Sequence, residues 1–554
     1  MQRSDGWSVT LGVDVGGTFT DIVRWDGRRL SVGKTSSTDD QSEAVLLGAG
    51  RLVRDQKDAL LVHGTTVATN ALLERAGSRV ALVTDPGFED LIEIGRQDRP
   101  SLYDHDVLRP EPLVPRARRM STVPGSDLDA DIVAVVLIDS YREPRGERDL
   151  VGHITDVVGM PAIASADVSR EFREYERLST TVLTAYLQPI VSRYLQRLER
   201  EVAATVADRL LVMASNGGLI PAQQAATNAA AILLSGPAGG VMAAAAYGEA
   251  LGHGTVISFD MGGTSTDVCR VTGGAPEVTY ERQIEGYVCR LPSVAIHTVG
   301  AGGGSVGWVD SGGALRVGPR SAGAIPGPAS YQRGGTEPAV TDADLVVGRL
   351  SPDLPLADGL YLDRSAAESA LASVGARVGL GPAETAAGMI QVVETHMDRA
   401  IRRVSVEEGF DPAGAALVAF GGAGGMHASP LARRLGMGTV LVPPHAGVLS
   451  ALGLLLSPPR LDTARTVFVD PDEIERLRRT AAEMETQITD DFRAAVGTDP
   501  DRILHVVDLR YSGQAHETSI PFDRGEDAAG LTSRFHAAHR VRNGFDRPDD
   551  QVEV

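Results

Sequence analysis

The chain has 554 residues, 43% hydrophobic and 23% charged, the balance of an ordinary globular protein with room for about three to four domains. A net charge of −20 argues against general affinity for nucleic acid or for an anionic membrane. Two cysteines, Cys269 and Cys289, exclude a disulfide framework and a cysteine-type zinc site. Met1–Trp7 has no apolar leader and no long uncharged apolar run follows, so the expected setting is the cytoplasm.

The first element is the apolar run Val9–Val13, followed by Asp14-Val-Gly-Gly-Thr-Phe-Thr-Asp21 and the apolar pair Ile22-Val23. The same phrase returns as Asp260-Met-Gly-Gly-Thr-Ser-Thr-Asp267 after Val256–Phe259 and before Val268-Cys269, with six of eight positions identical. Strand, glycine turn, strand predicts a β-hairpin in each copy. Paired glycines admit positive φ and let an anion come close to the main chain, where successive N–H groups form a phosphate-sized concavity. Gly16, Gly17, Thr18 and Thr20 in the first copy, and Gly262, Gly263, Thr264 and Ser265 in the second, are the candidate phosphate contacts. Asp14 and Asp260 end their strands and suit a hydrated magnesium ion, bound through few carboxylates plus water and phosphate. No Walker loop is present.

Between the copies, Ala59–His63 reads as a buried strand, Val67–Arg75 as a helix capped by Thr65 or Thr66, and Arg79–Thr84 as the next strand, a β-α-β unit. His63 stands at a strand end, where it either meets substrate or serves as a hydrogen-bonded structural histidine. Arg96 and Arg99, in the loop Gly95–Pro100, either meet a phosphate or carboxylate or are solvated surface arginines. Residues 131–138 read as a buried strand, and Ser169–Leu198 as a long helix with Tyr186, Ile190, Tyr194 and Leu198 at helical spacing, the aromatics Tyr186 and Tyr194 read as core, and Pro189 interrupting it. Leu210–Met213 is a strand leading into Ser215-Asn-Gly-Gly218, and a helix ends near Gly252.

After the second copy come glycine clusters at 299–305, 318–328 and 334–335, then a helix from about Ala383 to Glu408. The strand Ala415–Phe420 runs into Gly421-Gly-Ala-Gly-Gly425, a strand-turn-helix arrangement suited to a nucleotide, with Gly421, Gly422 and Gly424 as candidate adenosine contacts. From about 465 the chain changes character, with a charged helix to Phe492 and a strand at His505–Tyr511.

Two such hairpins with a later glycine turn resemble the actin, sugar-kinase and heat-shock-chaperone ATPases. The chain is more specifically similar to the A subunit of the hydantoinase/oxoprolinase family. Matching stretches run in order through the chain: Gly12–Asp21, His63–Arg75, Arg173–Arg177 with Ser179–Thr181, Ser215–Gly218, Phe259–Asp267, Gly302–Ser305, Phe420–Gly424 and Ala446–Gly453. The resemblance implies an α/β fold of two ribonuclease-H-like ATPase halves around a nucleotide cleft, plus a partial C-terminal α+β domain. The expected division is 1–205, 206–464 and 465–554. It further implies ATP and Mg2+ as cofactors, Asp14 and Asp260 as catalytic residues, and a B-type subunit as partner. The expected activity is opening of a hydantoin, 5-oxoproline or lactam by phosphorylation of its carbonyl oxygen. An ATP-dependent ketone carboxylase subunit and a non-catalytic ATP switch are the alternatives. The chain departs from the family pattern in a short segment between Arg118 and Asp131, in Gly425-Met426 where Pro-Leu is usual, and in its end at Val554, which is expected to truncate the C-terminal domain.

Overall fold

The computed structural model describes residues 9–16, 19–38, 40–52, 59–104, 106–123, 125, 128–356 and 359–554. They form two compact units, each assembled from separate stretches of chain. One comprises residues 1–64, 235–278 and 294–457; the other comprises 65–234, 279–293 and 458–554.

The first unit contains both copies of the repeated phrase. Its opening elements are β1 (Val9–Val15), β2 (Phe19–Trp25), β3 (Leu30–Ser36), α1 (Gln41–Leu52) and β4 (Ala59–Gly64). After α2 (Ser235–Ala250) come β5 (Thr255–Met261), β6 (Thr266–Thr272), β7 (Ala275–Pro276) and β8 (His297–Val299). Then follow α3 (Val340–Val346), α4 (Pro382–Arg403), β9 (Ala416–Phe420), α5 (Gly424–Arg434), β10 (Thr439–Leu441) and α6 (Leu449–Leu456). Each copy of the phrase joins two antiparallel strands, as expected: β1 with β2 and β5 with β6. Each first strand also has a parallel neighbour, β4 beside β1 and β9 beside β5. The sheet orders within this unit are β4-β1-β2-β3 and β7-β6-β5-β9-β10, with β8 on the free edge of β6. The repeat in the sequence is therefore a repeat in topology.

The second sheet is covered on both faces, so its strands read as apolar runs rather than as alternation. Val256, Cys269, Val418 and Phe420 pack with α2 and α6, while Ile257, Phe259, Val268 and Leu417 pack with α3, α4 and α5. By the two-residue period of a strand, Asp260 shares the face of Val256 and Asp267 that of Cys269. The helices α2 and α6 cross at backbone contact: a β-carbon on Gly453 would collide with the carbonyl oxygen of Gly239. Leu449, Leu452 and Leu455 of α6 are buried there, each worth about 1.5–3 kcal/mol.

The second unit contains a parallel four-stranded sheet in the order Arg119–Met120, Val80–Thr84, Ile132–Val136, Ala162–Ala164. Beside it runs the 32-residue helix Glu174–Thr205, with Pro189 inside it. Its last stretch holds a three-stranded antiparallel sheet and the helices Ile474–Val496 and Ala528–Asn543 around Leu509, Tyr511 and Phe535. Two expectations are corrected here. Ala59–Gly64 and Val80–Thr84 enter different sheets, so no β-α-β unit forms around Val67–Leu73. A wholly apolar strand does not encode which parallel neighbour it takes. In the long helix Tyr186 and Leu198 are buried, but Ile190 and Tyr194 are only half-buried. The buried stripe runs through Val191, Leu195, Leu198 and Val202, one residue round the helix. Both cysteines are free and buried. Among the described residues no helix is long and apolar enough to cross a membrane.

Candidate functional site

The two glycine turns close in the same way. The Gly16 N–H donates to the Phe19 carbonyl over 3.0 Å, and the Gly262 N–H donates to the Ser265 carbonyl over the same 3.0 Å. In the first turn the Ser37 hydroxyl donates to the Gly16 carbonyl (2.7 Å) and lies 3.2 Å from the hydroxyl of buried Thr20. Gly17 and Thr18 lie outside the described residues. In the second turn the carbonyls of Gly262 and Gly263 accept from the N–H groups of Gly303 and Gly304 at 3.0 and 2.6 Å. A β-carbon on Gly302 would stand 2.6 Å from the Thr264 nitrogen, so only glycine lets this loop press against the turn. The result is polarised. Its carbonyl oxygens are occupied, whereas the N–H groups of Gly263 and Thr264, both in exposed residues, take no partner among the described residues. Free N–H donors on a glycine turn are what an anion requires.

The carboxylates are organised by strand register. Asp14 is the cross-strand partner of Asp21, and Asp260 of Asp267. Burial first, and then the charge of Asp21, push Asp14 up to about 7 against the relief given by Lys34. Asp260 is pushed up to about 8 by burial and by the charges of Asp267, Asp14 and Asp21, so the field of the first hairpin reaches the second. Asp267 is raised by burial to about 6, although the Thr298 hydroxyl donates to its Oδ1 over 2.5 Å. Asp21 is raised by burial, which outweighs its ion pair with Lys34 at 2.5 Å. Lys34 relieves only Asp14 and Asp21, and among the described residues no cationic side chain offsets the charge of Asp260 and Asp267, an arrangement that favours a further cation.

Glycine guards the two strand-end carboxylates. Gly64, paired with Asp14 in the parallel ladder, leaves room for its Oδ1. Gly421 does the same for Asp260 at a φ of +82°, a conformation that favours glycine. Gly236, in the first turn of α2, faces the same oxygen of Asp14, and a β-carbon there would lie 3.6 Å away. Gly421 and Gly422 occupy the expected turn between β9 and α5, and Gly424 is the first residue of α5. Among the described residues no three His, Cys, Asp or Glu side chains converge to hold a metal by themselves.

His63 is fully buried in β4 with Nδ1 3.2 Å from the Val13 carbonyl, and burial lowers its pKa to about 4, which keeps the ring neutral. Arg96 and Arg99 belong to the second unit. Arg96 makes a bidentate pair with Glu176 at 2.8 and 2.6 Å, and Arg99 is exposed. Asp21 and Asp267 close the repeated phrase, yet sequence reasoning gave them no role, and register supplies it. Lys34, Ser37 and Thr298 carry no local signal and are found only through their contacts, whereas Gly64 and the 302–304 loop stand in stretches that the sequence singled out without indicating what they touch.

The family model of the hydantoinase/oxoprolinase N-terminal region matches residues 10–134, and that of hydantoinase/oxoprolinase matches residues 177–463. The caprolactamase subunit alpha of Pseudomonas jessenii is 34% identical over 98% of this chain and 85% of its own. The crystal structure of ATP-dependent caprolactamase from the same organism superimposes with a TM-score of 0.88 at 32% identity, covering 98% of this chain and 86% of that one. A nucleotide-free acetone carboxylase structure gives a TM-score of 0.74 at 25% identity over the same shares of each chain. With hairpins, glycine turns and these likenesses in agreement, the chain belongs to the hydantoinase/oxoprolinase family.

Proposed function

We propose that this chain is the ATP-using subunit of an enzyme that opens a cyclic amide, a lactam, hydantoin or 5-oxoproline, by phosphorylating its carbonyl oxygen. The observation that carries the reading is the pair of equivalent glycine turns in one unit, the second with free N–H donors, beside four crowded carboxylates. The likeness to the caprolactamase subunit alpha supports a lactam within that class.

An amide resists water because its carbonyl carbon is a poor electrophile and its nitrogen a poor leaving group. In the proposed step the amide oxygen attacks the γ-phosphorus of ATP, the bond to the β-phosphate oxygen breaks, and the amide nitrogen gives up its proton. The product is an O-phosphoryl imidate. Water adds at its carbon, the C–N bond breaks as the ring nitrogen takes up a proton, and a second water hydrolyses the ring-opened acyl phosphate to carboxylate and phosphate. Such phosphoryl transfer is driven by positioning and charge neutralisation. The turn donors of Gly263 and Thr264, free among the described residues, are assigned to the phosphates, with Gly16, Gly262, Thr20 and Ser265 shaping the two turns. The 421–424 segment is assigned to the adenosine. Asp14 and Asp260, held at about 7 and 8, are suited to accept a proton near neutrality. An all-carboxylate donor set with too few ligands to enclose an ion fits Mg2+, which also binds phosphate and water. Asp14 and Asp260 would hold it, directly or through water, and its charge would draw electron density from the transferring group. A B-type subunit is proposed to complete the reaction.

The test is ATP hydrolysis by the purified chain with magnesium, across caprolactam, 5-oxoproline, hydantoin and ketones with bicarbonate, with and without a B-type partner. Turnover stimulated by one cyclic amide and lost in Asp14→Ala and Asp260→Ala supports the reading. Bicarbonate-dependent turnover with a ketone would assign the chain to the carboxylases, a second reading supported by the acetone carboxylase likeness. Nucleotide binding without stimulated turnover would leave a non-catalytic switch.

A further inference from the structure

The edge strand β8 has two faces with different neighbours. Thr298 points to Asp267, whereas His297 and Val299 line a solvent-open cleft of about 430 Å³ bordered by His396, Arg399, Ala400 and Arg403 of α4 and by Glu407. The α4 residues follow at three- and four-residue intervals and so form one stripe of the helix facing the strand. Most arginines in this region are neutralised: Arg402 pairs with Asp398 at 2.8 Å, Arg403 with Glu407 at 2.6 Å and Arg316 with Asp310 at 2.8 Å. Arg399, which faces the cleft, takes no ion-pair or hydrogen-bond partner among the described residues, and neither do the imidazoles of His297 and His396. The cleft is thus left with a positive charge and two uncommitted imidazoles on a chain of net charge −20.

We propose that this cleft is a binding site for a small oxyanion of the phosphate class, separate from the glycine turns and on the opposite face of the second sheet from Asp260 and Asp267. Arg399 supplies the charge-assisted fork, and His297 and His396 supply ring N–H donors from the two walls. The volume suits a small anion with its water or a compact phosphate ester. The local field agrees: burial and then Arg403 lower His297 against Glu407, and burial with Arg399 and Arg316 lowers His396. A dianion would reverse these positive contributions and draw a proton onto the rings. Because β8 also carries the Thr298 hydroxyl that Asp267 accepts, an occupant bracing this strand braces that donor too.

The test is a titration of the full chain with inorganic phosphate at constant ionic strength, read from the ring resonances of His297 and His396 assigned through His297→Gln and His396→Gln. The expected result is a saturable shift of both rings with a rise in both pKa values. Arg399→Ala, a change at an exposed position, should weaken the response roughly tenfold or more. Arg320→Ala, whose arginine pairs with Glu337, should leave it unchanged. Absence of a saturable shift at these rings, or an equal shift in Arg399→Ala, overturns the proposal. Phosphate bound only at the glycine turns would leave both rings unmoved and counts with the first of these outcomes, so the proposed function stands or falls separately.

Discussion

A β-carbon added to Gly64 would stand 2.7 Å from Oδ1 of Asp14, closer than the two atoms can approach without one being displaced. The only side-chain atom that can yield is the carboxylate. Gly64→Ala is therefore expected to rotate Asp14 out of place and lower ATP turnover by about tenfold or more, equivalent to about 1.4 kcal/mol in the barrier. Gly421→Ala should act likewise on Asp260 and add the strain of its positive φ. Steady-state ATPase assays with a circular-dichroism check of folding measure both; wild-type turnover in both would remove the two carboxylates from the reaction.

Replacing the crowded acids should separate stability from activity. One pKa unit corresponds to about 1.4 kcal/mol, so ionised Asp14 and Asp260 each oppose folding by something on the order of 4–6 kcal/mol in the absence of a cation. Asp14→Asn and Asp260→Asn are expected to abolish turnover and to raise the thermal midpoint of the magnesium-free protein by a few degrees. Differential scanning calorimetry beside the ATPase assay checks this. A fall in the midpoint for both variants would show that the carboxylates are not held at an energetic cost.

The same groups set a pH dependence. Asp14, Asp260 and Asp267 titrate in the folded protein at about 7, 8 and 6, above the ordinary 3.8, so between these values the folded state holds more protons than the unfolded chain. Their contribution thus makes stability fall as pH rises, and the loss should concentrate between about pH 4 and 8 in magnesium-free solution. Magnesium with ATP should flatten the dependence, because a bound cation favours the ionised forms. Urea unfolding at a series of pH values gives the slope. A slope for the wild type equal to that of the double Asn variant would count against the crowding.

A second buried network adds a pH dependence of the same direction, this time from a histidine whose charged form is the stabilised one. The Nε2 of His427 lies 3.2 Å from Asp344 and its Nδ1 3.3 Å from Glu394, which Arg349 also holds at 2.9 Å. Burial works against a charge on the ring, but Asp344 and Glu394 outweigh it and raise its pKa. This stabilisation is full below about 6.5, the ordinary histidine value, and is lost as pH rises through the raised one. His427→Ala should cost about 3–5 kcal/mol at pH 6, since it leaves Asp344 buried and short of a partner. The difference from wild type should shrink in alkaline solution. Paired denaturation curves at pH 6 and pH 9 decide it, and a loss that does not vary with pH would make the ring a neutral packing element.

The parts of this architecture that are local in sequence were legible beforehand. The hairpins around Asp14 and Asp260 and the turn at Gly421 follow from glycine, hydroxyl and apolar residues within a few positions of one another. What was not legible depends on residues far apart in the chain. Gly303 and Gly304 satisfy the carbonyls of Gly262 and Gly263 from about forty residues away, and nothing in either stretch states the other's orientation. The sheet chosen by Val80–Thr84 was misread because a strand buried on both faces has no alternation to fix its neighbour. Tyr194 reads as core because its spacing from Tyr186 fits a helix face, but the adjoining stripe through Val191 and Leu195 fits as well and is the one that packs.

The first unit is built from three stretches that end at residue 457, with 170 residues of the other unit, 65–234, between its first and second parts. On a ribosome adding about 5–20 residues per second, β1 and β2 emerge on the order of 20–90 s before α6, whose Ala451 carbonyl leaves room only for glycine at position 12. During that interval the first hairpin exists without the helix that later covers it. Such delayed closure makes the nascent chain a natural client for chaperones. It also predicts that N-terminal fragments ending before residue 449, although they contain both copies of the repeated phrase, will aggregate rather than bind nucleotide.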